Sequence, residues 1–175
     1  MILATVGIKA LYYKVLTASE IAAGTMPTAG FKTVDVYQDT ATFKEGDGST
    51  TTHKSETSSK KIIVKQKGGK QLVFSIMDPS MEQRKDFEGG TYAPAGTSTP
   101  ATYEEPETYS PIKMAFIILP DDGDALHIAR ADVMGKINTT YAKTGITLMD
   151  VTADPETKVK YTTDQTIPGQ NSGGD

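Results

Sequence analysis

Hydrophobic and polar residues alternate along much of this chain, in short segments separated by Gly, Pro, Asp and Ser. Such alternation predicts half-buried β-strands. The predicted strands cover residues 8–16, 33–43, 62–67, 71–77, 112–119, 125–133, 137–141, 146–152 and 158–161. The alternation changes phase within 33–43, which indicates a bulge or a strand that moves between two environments. Residues 112–119 are nearly all apolar, as expected of a strand covered on both faces.

Turn and capping residues mark the ends of these strands. The pair Gly68-Gly69 predicts a hairpin between strands 62–67 and 71–77, because a two-residue primed turn requires positive φ angles. Acidic residues and a glycine at 121–124 predict a second antiparallel hairpin. The segment 17–20 (TASE) has the spacing of a capping box and predicts at most two helical turns.

One longer helix is expected over residues 79–88. Asp78 supplies an N-cap, a proline occupies the first helical position, and two glycines after residue 88 end the helix. The expected core contacts of this helix are Met81 and Phe87.

Two long segments contain too few apolar residues to pack against a core. Residues 44–59 are almost entirely polar, and we expect them to form a projecting hairpin or loop. Residues 91–111 contain four prolines and are expected to be a Pro-rich insertion without a strand ladder. Together, these features predict a mainly β fold, a two-sheet β-sandwich or flattened barrel with one short flanking helix and long polar loops. The expected domain covers residues 1–164, and residues 165–175 are expected to form a flexible C-terminal tail.

Composition argues against several classes of function. The net charge of −4 disfavours a duplex-binding surface, since Lys and Arg supply most of the affinity for phosphates. The sequence contains no cysteine, which removes disulfides, thiolate nucleophiles and Cys-based zinc sites. Residues 1–8 are apolar but follow no basic cluster, so they predict neither a secretory signal nor a membrane span.

Few residues offer catalytic chemistry. His53 lies in the polar segment 44–59, where a solvated side chain is expected, and His127 alternates with apolar neighbours and is expected on the outer surface of a strand. The glycines at 68–69 lack the spacing of a phosphate-binding loop. The acidic residues at 121–124 lack EF-hand spacing, and those at 104–107 lie in a proline-broken segment, which favours a polar turn and a solvated or partner-facing surface. We therefore expect no enzyme activity, catalytic residue, cofactor or metal.

Lysines form the one basic concentration in the sequence, at positions 54, 60, 61, 65, 67 and 70. Neither arginine nor aromatic residues interleave with them, unlike in many surfaces that bind single-stranded nucleic acid. Two interpretations stay open: a solvated hairpin, or a surface that pairs with acidic segments of another copy of the chain.

Four segments occur in an order that is typical of one protein family. The run VDVYQDTATFKEGDG at 34–48 leads into the polar segment, and FSIMDP at 74–79 leads into the short helix. The runs IARADV at 128–133 and GITLMDVT at 145–152 are similar to that family's closing strands. Over roughly residues 7–161, the chain resembles the major tail tube proteins of long-tailed bacteriophages.

This resemblance implies a function in assembly. Members of the family form hexameric rings that stack into a tube through which DNA passes, and a long loop between early strands commonly reaches the neighbouring ring. Residues 44–59 occupy that place here. The implied protein is a virion structural component of the tail, assembled in the cytoplasm of the host bacterium. Its implied partners are copies of itself, tail terminator, baseplate and tape-measure proteins, and genomic DNA in transient passage, with no membrane.

On this resemblance we expect inter-ring contacts at Glu45, Asp47, His53, Lys54 and Glu56. Two alternatives stay open. One is the inner tube protein of a contractile injection system, which shares the fold. The other is a ligand-binding or carbohydrate-binding β-sandwich module, although such modules usually expose aromatic platforms and this chain has no tryptophan.

Overall fold

The computed structural model describes residues 7–170 and confirms the mainly β fold class, with 48% of residues in strands and 9% in helices. The strands are β1 (Ile8–Val15), β2 (Lys32–Val34), β3 (Thr42–Glu45), β4 (Ser49–Lys54), β5 (Lys61–Gln66), β6 (Lys70–Met77), β7 (Thr91–Ala93), β8 (Thr102–Glu104), β9 (Ile112–Pro120), β10 (Ala125–Thr139), β11 (Thr147–Pro155) and β12 (Lys160–Thr162). The helices are α1 (Ala18–Ala23) and α2 (Met81–Glu88).

Eight strands form one large antiparallel sheet in the order β2-β1-β9-β10-β11-β6-β3, with β12 paired to β10. This sheet curls. Phe74 on β6 and Phe116 on β9 are separated by two intervening strands, yet their ring centroids lie 5.9 Å apart. A flat sheet would hold these two strands about 14 Å apart. The curled sheet wraps around a core without closing into a barrel.

The segment predicted as one strand over 33–43 crosses from one edge of the sheet to the other. β2 pairs with β1, whereas β3 pairs with β6. Between them, the N–H of Tyr37 donates to the Ser75 carbonyl oxygen at 2.8 Å, and Asp39 adopts a left-handed conformation with φ of 59°. The predicted change of environment is therefore confirmed, and two short strands replace the single one.

The main core lies inside the curl of the sheet. Its largest fully buried side chains are Leu11, Tyr13, Leu72, Phe74, Ile76, Phe87, Met114, Phe116, Ile128 and Met149. Phe87 of α2 is among them, as predicted, but Met81 is 45% exposed and that prediction is wrong. The N-cap is Ser80 and not Asp78, and the Ser80 side chain accepts from the N–H of Gln83. Helix α2 therefore begins one residue after Ser80, and Met81 faces solvent.

A second apolar cluster covers the opposite face of β9. It contains Leu16, Phe31, Ala115, Ile117, Leu119, Ala125 and Ile167, with α1 lying beside it. The capping box of α1 is present, because Thr17 accepts from the N–H of Glu20 and the Glu20 carboxylate accepts from the N–H of Thr17. The prediction that this strand is covered on both faces is confirmed.

Residues 165–170, the described part of the expected flexible tail, contact the main sheet. Ile167 is only 8% exposed and packs in the second cluster. The N–H of Thr166 donates to the Asp164 carboxylate at 2.9 Å. Residues 165–170 are therefore docked on the sheet. Residues 171–175, like the predicted apolar start at 1–6, lie outside the described residues.

The Pro-rich insertion holds a short ladder that the sequence did not predict. β7 pairs with β8 over three residues, with the prolines outside the paired positions. Tyr103 donates to the Gly89 carbonyl oxygen at 3.0 Å, and the Arg84 guanidinium lies 4.6 Å from the Tyr103 ring centroid. Burial, and then the charge of Glu88, raises the pKa of Tyr103 to about 12. These contacts hold the insertion against α2.

Candidate functional site

Most of the polar segment 44–59 belongs to a longer structure, which we call the projecting hairpin (residues 46–69). Its strands β4 and β5 pair with each other from Ser49–Gln66 to Lys54–Lys61, and the N–H of Ser55 donates to the Lys60 carbonyl oxygen at 3.0 Å. The hairpin extends from β3 and β6, which belong to the main sheet.

The predicted hairpin turn at Gly68-Gly69 is wrong. Neither glycine has a positive φ, and β5 pairs with β4 and not with β6. Instead, the glycines allow the two arms of the hairpin to approach closely. The N–H of Gly46 donates to the Gly69 carbonyl oxygen at 2.8 Å, and a Cβ atom at Gly68 would lie 1.9 Å from the Gly46 carbonyl oxygen. A side chain at Gly68 is therefore excluded by the facing backbone.

Every residue of β4 and β5 is exposed, including three adjacent apolar ones. The exposed fractions of Ile62, Ile63 and Val64 are 50%, 51% and 42%. An isolated two-stranded hairpin is marginally stable in water, and exposed strands that carry apolar side chains are ready to pair or pack with another chain. This combination makes the hairpin a candidate interaction surface.

The two faces of the hairpin differ in chemistry. Residues paired across an antiparallel ladder share a face, and successive residues of a strand alternate between faces. One face carries Ile62 and Val64, opposite His53 and Thr51, and we call it the apolar face. The other, which we call the basic face, carries Lys54, Lys61, Ile63 and Lys65.

The five predicted inter-ring residues do not form one site. Glu45 lies at the base of the hairpin, 4.0 Å from the ammonium of Lys70. Asp47 lies where the two arms of the hairpin approach each other at Gly68. His53 and Lys54 end β4, and Glu56 lies in the turn. The six residues of β4 span about 20 Å, so the base and the tip are well separated.

Sequence reasoning missed the exposed apolar residues of β5. The sequence predicts residues 62–67 as a strand in a hairpin with 71–77, because Gly68-Gly69 is interpreted as the turn between them. The uniformly polar run 49–54 could have indicated this exposure. A strand whose only partner is a polar strand has little apolar surface to pack against on either face.

An apolar pocket of about 540 Å³ opens at one end of the curled sheet. Its interior includes Ile8, Val36, Phe43, Leu72, Ile118 and Leu126. Its rim carries Asp39, Asp122 and Asp124, together with Tyr37 and Tyr161. Pockets of about 300–1,000 Å³ commonly hold a drug-sized ligand or an equivalent group of side chains. The acidic turn at 121–124, expected to be a polar connection, thus also borders a recess.

His127 lies half-buried beside Lys160 of β12, which corrects its expected place on the outer surface. Burial, and secondly the positive charge of Lys160, lowers the pKa of its imidazole below the ordinary value. The turn between β9 and β10 joins two antiparallel strands, as predicted.

Within residues 7–170, no three His, Cys, Asp or Glu side chains are grouped so that they could hold a metal ion. Across the same described range, no helix is both long enough and apolar enough to span a membrane.

No protein-family model matches this chain, and no curated protein matches it either. The projecting hairpin and the pocket are therefore the features from which a function has to be inferred.

Proposed function

We propose that this protein is a virion structural protein that polymerises as stacked rings and forms a phage tail tube through which DNA is delivered. The observation that carries the proposal is the projecting hairpin. It is wholly exposed in the single chain and displays Ile62 and Val64 on one face and Ile63 on the other. The order of sequence segments, which resembles that of phage tail tube proteins, gives this surface a role in assembly.

Covering the hairpin is energetically favourable. Complete burial of an aliphatic side chain contributes about 1.5–3 kcal/mol relative to full exposure. Because these three side chains are about half exposed, covering them contributes roughly 1 kcal/mol each, or about 3 kcal/mol per hairpin. Such a gain, repeated at every subunit, adds to other contacts between copies, which together must exceed the roughly 4–15 kcal/mol cost of association.

Charge favours a copy of the same chain as the partner. The hairpin carries five lysines against Asp47 and Glu56, whereas the whole chain has a net charge of −4. The remainder of the molecule is therefore strongly acidic, and complementary charge steers and orients association. A projecting element that docks on a different surface of its neighbour makes a head-to-tail contact, which produces rings or open filaments.

The same charge balance suits a conduit for DNA. A surface with net negative charge repels phosphates and lets DNA pass without adhering. In this proposal the tail terminator, baseplate and tape-measure proteins bind at the ends or inside of the tube. The proposed role requires no catalytic residue or cofactor, and it places the protein in the virion after assembly in the bacterial cytoplasm.

Deleting the hairpin tests this proposal. The N–H of Gly46 and the carbonyl oxygen of Gly69 already lie 2.8 Å apart, so residues 47–68 can be replaced by an Asn-Gly turn without moving β3 or β6. The variant should keep the circular dichroism and cooperative urea unfolding of the parent but elute as a monomer and show no tubes by negative-stain microscopy. Tubes formed at the same protein concentration as the parent would refute the proposal.

The inner tube of a contractile injection system is the closest alternative, because it shares the fold. A gene for a contractile sheath beside the gene for this protein would favour it.

A ligand-binding β-sandwich is the second candidate, and the pocket is the observation that favours it. Tyr37 and Tyr161 are 38% and 57% exposed, and both line the pocket together with Asp39, Asp122 and Asp124. Carbohydrate sites combine aromatic surfaces with polar groups in this way. Binding of a defined glycan on an array by a protein that stays monomeric at all concentrations would favour this candidate.

A further inference from the structure

We infer that the pocket of one copy receives the apolar face of the projecting hairpin of a second copy. This inference rests on the proposed self-assembly and specifies the two surfaces that meet. The hairpin would then be the inserting element and the pocket its receptor, at every contact between successive copies.

The apolar face of the hairpin and the interior of the pocket match in polarity. Ile62 and Val64 are the exposed apolar side chains of one hairpin face, and their cross-strand neighbours are His53 and Thr51, so this face carries no Lys, Arg, Asp or Glu opposite them. The pocket interior is apolar and holds about 540 Å³, which is enough for two β-branched side chains and part of the strand that bears them. A strand with charged residues on this face would not fit such an interior.

The charged groups at the edges of the two surfaces are opposite in sign: carboxylates line the pocket, and lysine lies on the hairpin. The pocket lining has three carboxylates, those of Asp39, Asp122 and Asp124, and no lysine or arginine. None of the three carboxylates belongs to an ion pair within residues 7–170. On the hairpin, Lys60 lies two residues before Ile62 in the same alternation, and a long lysine side chain can lie along apolar surface while its ammonium group reaches a polar rim.

The hairpin does not fill the pocket of its own chain. Phe43 and Leu72, which line the pocket, pair with each other at the base of the hairpin, and β4 and β5 lie beyond that base. All residues of β4 and β5 are exposed, so none is inserted in a pocket of the same molecule. Among residues 7–170, the hairpin of another copy is the occupant that this inference assigns, and the resulting arrangement is head-to-tail.

Cysteine cross-linking tests the contact directly, because the natural chain has no cysteine. Ile62→Cys, on the apolar face, is mixed with Tyr37→Cys, at the pocket, and the assembled mixture is oxidised. The matched control is Ile63→Cys, whose parent residue is 51% exposed against 50% for Ile62 but belongs to the basic face. We expect a disulfide-linked dimer from the first pair and several-fold less from the control pair.

A charge exchange supplies an independent readout. The variant Lys60→Glu and the variant Asp122→Lys should each raise the concentration needed for assembly several-fold, since each replaces an attractive pair by a repulsive one, whereas Lys61→Glu on the basic face should not. The variant carrying both Lys60→Glu and Asp122→Lys should assemble at close to the parent concentration.

The outcomes separate this inference from the proposed function. Tubes that form normally while Ile62→Cys and Ile63→Cys cross-link equally to Tyr37→Cys, or not at all, would overturn the inference and leave self-assembly intact. Cross-linking that requires removal of residues 1–6 would assign the pocket to the same chain's N-terminal segment and would also overturn it. A parent protein that never assembles would overturn both.

Discussion

Gly68→Ala is the substitution for which the structure gives the sharpest expectation. The added Cβ atom would lie 1.9 Å from the Gly46 carbonyl oxygen and 2.8 Å from that of Asp47. The two arms of the hairpin must separate by more than 1 Å to reach ordinary contact, which breaks the hydrogen bond from Gly46 to Gly69. The lost bond costs about 1 kcal/mol. Residual strain adds roughly another 1–2 kcal/mol.

Gly69→Ala is the matched control, one position along the chain. A Cβ atom at Gly69 meets nothing within 4 Å, and its φ is not positive. Alanine there should leave the free energy of unfolding unchanged or raise it by up to about 1 kcal/mol, because it restricts the unfolded chain. Urea unfolding of the dilute monomers should therefore place Gly68→Ala at least about 2 kcal/mol below Gly69→Ala. Equal free energies of unfolding for the two variants would show that the arms of the hairpin do not approach each other as closely at Gly68 as the structure has them.

Two further predictions concern the body of the molecule. Phe87→Ala should lower the free energy of unfolding by about 3–5 kcal/mol in a urea titration, because Phe87 is 0% exposed and its ring centroid lies 4.7 Å from that of Tyr13. Met81→Ala, on the same helix but 45% exposed, should change it by less than about 1 kcal/mol, and similar losses in the two variants would contradict the assigned core face of α2. For His127, whose pKa is lowered, the unfolded state binds the proton first as pH falls below about 6.5, so the parent should lose stability on acidification. His127→Gln should lose less stability than the parent between about pH 7 and 5, and identical pH profiles of the urea midpoint would count against the half-buried placement.

The main sheet was largely predictable because its strands combine alternation with strong turn residues. The nearly continuous apolar run of β9 implied cover on both faces, and the second cluster around Ile117 supplies it. Pairing between distant strands was not predictable. The sequence of residues 33–43 does not indicate that this segment pairs first with β1 and then with β6, because that path depends on how the whole sheet curls.

The candidate site was predictable only in part. The composition of residues 44–59 predicts a projecting polar segment. The strand that pairs with it was not predictable, because two adjacent glycines permit either a primed turn or a close approach of two backbones. Sequence spacing does not separate these uses. The pocket was also beyond sequence reasoning, because its walls come from β1, β3, β6, β9 and β10 and from the 121–124 turn, which are distant in the chain.

Hydrogen exchange of the β4 and β5 amides, measured in the dilute monomer and in the assembled state, tests the central claim most directly. These strands are wholly exposed in the single chain, and in the proposed assembly another copy covers them. We predict rapid exchange in the monomer and strong protection after assembly, while the amides of β9 stay protected in both states. Unchanged exchange at β4 and β5 in fully formed tubes, or full protection in a strict monomer, would contradict the proposal that the hairpin joins successive copies.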